Sequence, residues 1–171
     1  MKDDDRSYVK FMLVKEIVDE DFQDYKRAAM FISAISCDFK CMKELKVDLG
    51  ICQNMRIAKL PNKKVDISSI FKRYISNPIT TSIVIGGLEP MLQFTEVLSL
   101  VHYFRMQGCN DDFVIYTGYY PYEIEKKVKE LKSFDNIIIK YGRFMPNSTS
   151  KYDNILGINL SSKNQHAEKI S

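Results

Sequence analysis

Three of the four cysteines fall in one short stretch, Cys37-Asp-Phe-Lys-Cys41 and then Ile51-Cys52-Gln53-Asn54. Thiolates are ligands for soft metals and iron–sulfur clusters. Three of them are one short of closing a tetrahedral single-ion site. They are the right number to hold a cubane cluster by three irons and leave the fourth open. The remaining thiol, Cys109, follows a helix-ending glycine and reads as structural. His102 and His166 have no neighbours that suggest acid–base work. There is no Ser–His–Asp logic, no phosphate loop and no dinucleotide fingerprint.

The elements that must position these thiols can be read from apolar periodicity. The run from Ala29 to Ser36, just before Cys37, reads as a buried strand. Lys10 to Val18 reads as a strand of mixed exposure. Asp66 is placed as an N-cap, with Ile67, Ile70, Phe71, Tyr74 and Ile75 at helical spacing until Asn77-Pro78. Ser82–Ile85 is a β-branched strand running into Gly86-Gly87. Phe94, Val97, Leu98, Val101 and Phe104 mark a helix that Gly108 ends. Phe113–Thr117 is the next strand, Pro121 opens a third helix, and Asn136–Tyr141 is a further strand. Pro146 to Tyr152 is read as a polar loop and Ile155–Leu160 as a last short strand. Strands that are continuous apolar runs alternating with helices imply an α/β fold, a mostly parallel sheet covered by helices. The length suits about four such units rather than a closed eightfold barrel, so an open or partial barrel is expected. One domain over 1–171 is expected, with polar ends at 1–7 and 166–171 that fray.

A net charge of +3 is too small to argue for nucleic-acid or membrane binding. No apolar run reaches the roughly 18–20 residues of a membrane span, and the polar N-terminus does not read as a signal peptide. The expectation is a cytoplasmic protein with reduced thiols, in which clustered cysteines mean metal or redox chemistry.

The strand ends form a set: Cys37, then Gly86-Gly-Leu-Glu-Pro90, then Thr117-Gly118, then Gly142-Arg-Phe144. Carboxyl ends of parallel strands converge on ligand sites. Taken in order with Tyr116-Thr-Gly-Tyr119 and Ser161-Ser-Lys-Asn-Gln165, these motifs resemble radical S-adenosylmethionine enzymes. Within them they are most similar to the activating proteins of anaerobic ribonucleotide reductase. The resemblance covers roughly residues 10–170 and implies a partial (β/α) barrel. It also implies a 4Fe–4S cluster on Cys37, Cys41 and Cys52, with S-adenosylmethionine on its open iron. By the same resemblance, Gly86, Gly87 and Glu89 meet the methionyl ammonium, Ile51 lines the adenine, and Thr117 and Gly118 contact the cofactor from the next strand. Asn164 and Gln165 are further candidates. The implied activity is formation of a 5′-deoxyadenosyl radical that installs a glycyl radical on a partner. Anaerobic ribonucleotide reductase is the suggested partner, and a flavodoxin-like protein the suggested electron donor. A chain this short is expected to have little room for a substrate pocket of its own.

Two departures stand against the family pattern. C-x-x-x-C-x-x-C is the usual motif, but Glu44 occupies the third cysteine's place and the next thiol is Cys52. Lengthening that loop from two to ten intervening residues costs only about 1 kcal/mol of closure entropy. Structural metal sites contribute ~10 kcal/mol or more. Glu44 as an oxygen ligand, or no cluster at all, are the alternatives. The glycine motif also carries an extra residue, Leu88. Glu89 has a plainer reading as a helix N-terminal carboxylate, and Lys40, Lys43 and Lys46 read as a solvated face. Two other functions compete: an electron-transfer or sensing module without radical chemistry, and a zinc-stabilised interaction protein.

Overall fold

The computed structural model describes residues 7–171; of the terminus expected to fray, residues 1–6 lie outside the described residues. In chain order the strands are β1 (Phe11–Val14), β2 (Ile17–Asp21), β3 (Ala29–Ser33), β4 (Lys63–Asp66) and β5 (Ser82–Gly86). They continue with β6 (Asp112–Tyr116), β7 (Ile137–Tyr141), β8 (Lys151–Asp153), β9 (Ile158–Leu160) and β10 (His166–Lys169). The helices are α1 (Lys40–Leu45), α2 (Met55–Ala58), α3 (Ile67–Ile75), α4 (Phe94–Met106) and α5 (Glu125–Leu131).

Six strands form one sheet in the order β10-β7-β6-β5-β3-β2. The four central strands, β3, β5, β6 and β7, are parallel, and the outer two pair antiparallel. Every residue of β5 and β7 is buried, as expected of strands covered on both faces. Alternate residues supply the two faces. Met30, Ile32, Ile83, Ile85, Phe113, Ile115, Ile137 and Ile139 pack with α3 and α4 through Ile67, Ile70, Tyr74, Val97, Val101 and Phe104. The opposite face carries Ala29, Val84, Val114 and Ile138 beneath Leu156, Leu160 and Ala167. Farther along the strands this second face presents Phe31, Tyr116 and Lys140, and it is where the site lies. The sheet has two free edges, β10 and β2, and forms no closed barrel.

Several boundaries differ from the sequence reading. The stretch 10–18 is not one strand. Val14 ends β1, which pairs with β4, and the chain crosses to the large sheet where Lys15 N–H donates to Ser33 O and Ser33 N–H to Glu16 O. The third helix opens as a 3-10 turn at Pro121–Glu123 before α5 begins. Part of the expected polar loop is β8, which pairs with β9. The C-terminal end does not fray: His166–Lys169 is an edge strand bonded along β7. An edge strand needs few apolar residues, and here Ala167 faces in while Glu168 and Lys169 face solvent. No helix among the described residues is long and apolar enough to cross a membrane.

Candidate metal centre

Beyond β3 the chain is pinned residue by residue. Ala34 N–H donates to Gly86 O at 2.9 Å, Ile35 N–H to Gln93 Oε1 at 2.8 Å, and Ser36 O accepts from Glu89 N–H at 2.8 Å. Cys37 therefore leaves the sheet from a fixed point, and its Sγ accepts the Phe39 N–H at 3.3 Å. A left-handed Phe39 (φ 54°) turns the chain into α1, which carries Cys41. After a left-handed Lys46, Asp48 caps the Gly50 N–H at 2.6 Å and starts the 3-10 turn Leu49–Ile51, which delivers Cys52. All three thiols are free and line one cavity of about 110 Å³. Burial pushes the Cys37 thiol up to about 12, helped by the charges of Glu89, Cys41 and Asp38 and opposed by the Phe39 N–H. Burial also raises Cys52, with Cys41 adding to it. Ligation at these positions must therefore expel protons. Among the described residues no three His, Cys, Asp or Glu side chains form a single-ion site. A cubane needs thiols spread wider, roughly 6–7 Å apart given metal–sulfur bonds of about 2.3 Å. Cys109 lies elsewhere, against the main core beside Arg105 and Asp111.

Glu44 does not join the thiols. Its carboxylate takes Arg143 Nε at 3.1 Å and Nη2 at 2.9 Å.

The extra residue in the glycine motif is absorbed by backbone geometry. Leu88 N–H donates to Gly86 O at 2.9 Å, a three-residue turn about Gly87 at φ 75°. Leu88 then buries against Ala34 and Ile57. Glu89 thereby still reaches the next strand end: its carboxylate accepts Thr117 Oγ1 at 2.8 Å, Gly118 N–H at 2.9 Å and Met91 N–H at 3.0 Å. The last of these is the helix-capping contact of the plainer reading, made by the same carboxylate that reaches Thr117 and Gly118. Glu89 is only 4% exposed, and burial raises its pKa against the pull of those donors.

Facing the same cavity is Lys140, 7% exposed. Its ammonium lies 5.3 Å from the Tyr116 ring and donates no hydrogen bond among the described residues. Burial drives it down to about 8, although Glu89, Cys41 and Asp24 hold it up. Each of Glu89 and Lys140 feels the other's charge, yet no ion pair joins them.

Of the residues singled out in the sequence, Cys37, Cys41, Cys52, Gly87, Glu89, Thr117, Gly118 and Gln165 line the thiol cavity. Two do not. Ile51 is 47% exposed and outside it, because the 3-10 turn that aims Cys52 inward leaves its predecessor facing out. Gly86 offers no open carbonyl, since Ala34 and Leu88 N–H both use it. Asn164 instead braces the rim, donating to Tyr120 Oη and Arg143 O, both at 3.0 Å. Lys140 was missed, and the signal was one cation inside Ile-Ile-Ile-Lys-Tyr, on the same face as Ile138.

A second cavity of about 450 Å³ adjoins the first and shares Gln53, Asn54, Gly87, Tyr116, Lys140 and Gln165 with it. That volume is within the range of small-ligand sites, so the chain has more room than its length suggested. Gly86 lets two of the cavity's wall residues, Tyr116 and Phe31, close over the strand: a Cβ there would stand 3.0 Å from Tyr116 Cβ and 3.6 Å from Phe31 Cε2.

A family model described as a 4Fe–4S single cluster domain matches residues 26–167, which takes in all three thiols, Glu89 and Lys140. No curated protein and no solved structure matches the chain.

Proposed function

This chain belongs to the 4Fe–4S single cluster domain family, and from that premise we propose that Cys37, Cys41 and Cys52 hold the cluster by three irons beside a site for S-adenosylmethionine. Bound and reduced there, such a cluster would supply the one electron that splits the sulfonium carbon–sulfur bond of S-adenosylmethionine into methionine and a 5′-deoxyadenosyl radical. The observation that carries the reading is the pair of buried, opposite and mutually unpaired charges next to the thiols, Glu89 and Lys140. A buried charge is costly until a partner arrives. A methionyl head group brings both partners at once, its ammonium to Glu89 and its carboxylate to Lys140. Thr117 and Gly118 hold the Glu89 carboxylate in place. Glu44 is left out of the ligand set because both its oxygens face Arg143.

The product that the resemblance points to is a glycyl radical on a large partner, with anaerobic ribonucleotide reductase the first to try and a flavodoxin-like protein as electron donor. The experiment is anaerobic reconstitution, reduction, and chromatography for 5′-deoxyadenosine with S-adenosylmethionine present. Formation of the nucleoside, and a glycyl-radical doublet when the partner is added, support the proposal. A loaded cluster that releases no 5′-deoxyadenosine sinks it. That result leaves the electron-transfer reading, which the extra residue Leu88 in the cavity wall favours.

A further inference from the structure

The helix that carries Cys41 is six residues long, and Met42 is its one buried side chain. A helix this short does not hold itself. What holds it is a set of charged contacts centred on Arg143, a residue 6% exposed at the end of β7. Its guanidinium has five N–H donors, and five contacts meet them. Glu44 takes Nε and Nη2 at 3.1 and 2.9 Å, Glu123 takes Nη1 and Nη2 at 2.6 and 2.7 Å, and Gly118 O takes Nη1 at 2.7 Å. Lys40 adds its ammonium to Glu123 at 3.1 Å. Lys40 and Glu44 are four residues apart on α1, hence on one helix face, and Cys41 is next to the first of them. Just before α1, Asp38 accepts the Tyr119 hydroxyl at 2.6 Å. Tyr120 lies under the guanidinium at 5.0 Å. The arrangement contains no metal ligand, so it is complete without one.

We propose that Arg143 is a positioning residue that sets α1, and with it Cys41, against the cavity before any cluster arrives, with Glu44 as its handle rather than as a ligand. The proposal rests on the cluster reading above for its purpose, but not for its geometry. The guanidinium holds the Glu123 carboxylate at about 2, with burial opposing and Tyr120 N–H and Lys40 helping, so this half of the clamp stays ionised through the physiological range. Arg143 is itself held well above its ordinary value, chiefly by Glu123.

The test is hydrogen exchange on the metal-free protein, followed by iron loading. In Glu44→Gln, amides of 40–45 exchange about fivefold faster while those of β5 and β6 are unchanged, the scale of one good ion pair with a buried partner. Arg143→Met gives at least the same effect, and Arg143→Lys recovers part of it. Adding Glu44→Gln to Arg143→Met changes nothing more, because the two act as one unit. With limiting iron, Glu44→Gln takes up less cluster, and what it holds keeps the wild-type electron paramagnetic resonance spectrum. Unchanged exchange in Glu44→Gln overturns the proposal. If the loaded cluster's spectrum changes as well, Glu44 is a ligand after all. Additive effects in the double variant overturn it too. A wild-type chain that takes up no iron defeats the cluster reading and leaves the exchange result to decide the clamp.

Discussion

Replacing Glu89 by Gln removes one charge and swaps one oxygen for an amide nitrogen. The remaining oxygen can keep the Thr117 hydroxyl and the Met91 N–H, both now on Oε1 at 2.8 and 3.0 Å. The new NH₂ then faces the Gly118 N–H, now 2.9 Å from Oε2, and two donors meet with no acceptor. An orphaned buried donor costs about 1–3 kcal/mol. The variant also escapes the burial cost of a carboxylate whose pKa the site already raises, which offsets part of the loss. A net loss of about 1 kcal/mol is expected, a Tm fall of roughly 2–4 °C for a chain of this size. Binding should suffer more. A hydrogen bond to a charged group contributes about 1.5–3 kcal/mol, so S-adenosylmethionine binds Glu89→Gln roughly 10- to 100-fold more weakly. The assay is equilibrium dialysis on anaerobically loaded protein, with 5′-methylthioadenosine, which has no amino-acid head, as the control ligand. Equal loss for both ligands, or wild-type affinity for S-adenosylmethionine, refutes the assignment of the ammonium to Glu89.

Lys140→Met should stabilise the metal-free protein at neutral pH, because it removes a buried cation with no hydrogen-bonded partner, while weakening S-adenosylmethionine by about tenfold or more; thermal melts and dialysis read the two effects. Asp24 is raised to about 6, first by burial and then by Asp21, with Lys140 opposing. A carboxylate raised in the fold contributes stability that is fully present below its unfolded value of about 3.9 and is lost as pH rises through 6. Asp24→Asn should therefore gain in Tm relative to wild type as pH goes from 4 to 7, and a constant difference contradicts this. Gly87→Ala meets a φ of 75°, with its Cβ 3.1 Å from Ile57 Cδ1 and 3.2 Å from Ser33 Cβ, whereas Gly108→Ala meets φ 79° in open space. Both incur the left-handed cost of about 1–2 kcal/mol, and melts should show Gly87→Ala clearly the worse.

The parallel core was legible because its signals are local and redundant. Ile83 to Ile85, Phe113 to Ile115 and Ile137 to Ile139 are apolar without interruption and each is followed by a glycine-containing turn. The strands that escaped notice are short and polar: β4 and β10 exist through pairing with a distant partner, which no local window reports, and β8 is a three-residue arm of a hairpin with β9 that carries no apolar run. The three thiols and Glu89 could be grouped because strand ends converge in this architecture. The clamp could not, since Glu44 and Arg143 are 99 positions apart and each alone looks like a surface charge. Lys140 was visible but looked like one more strand residue. Only the fold shows that the residue is 7% exposed and lines both cavities. Ile51 lies outside the cavity although it adjoins Cys52, because the capped 3-10 turn that aims one side chain inward leaves its neighbour exposed.

The central claim is that a remote third sulfur completes the cradle. Its most direct measurement is iron and acid-labile sulfide per chain after anaerobic reconstitution of wild type, Cys52→Ser and Cys109→Ser. The account predicts about four of each in wild type and in Cys109→Ser, as a 4Fe–4S family implies, with Cys52→Ser losing most of its cluster. A Cys52→Ser protein that loads fully, with an unchanged resonance spectrum, contradicts it.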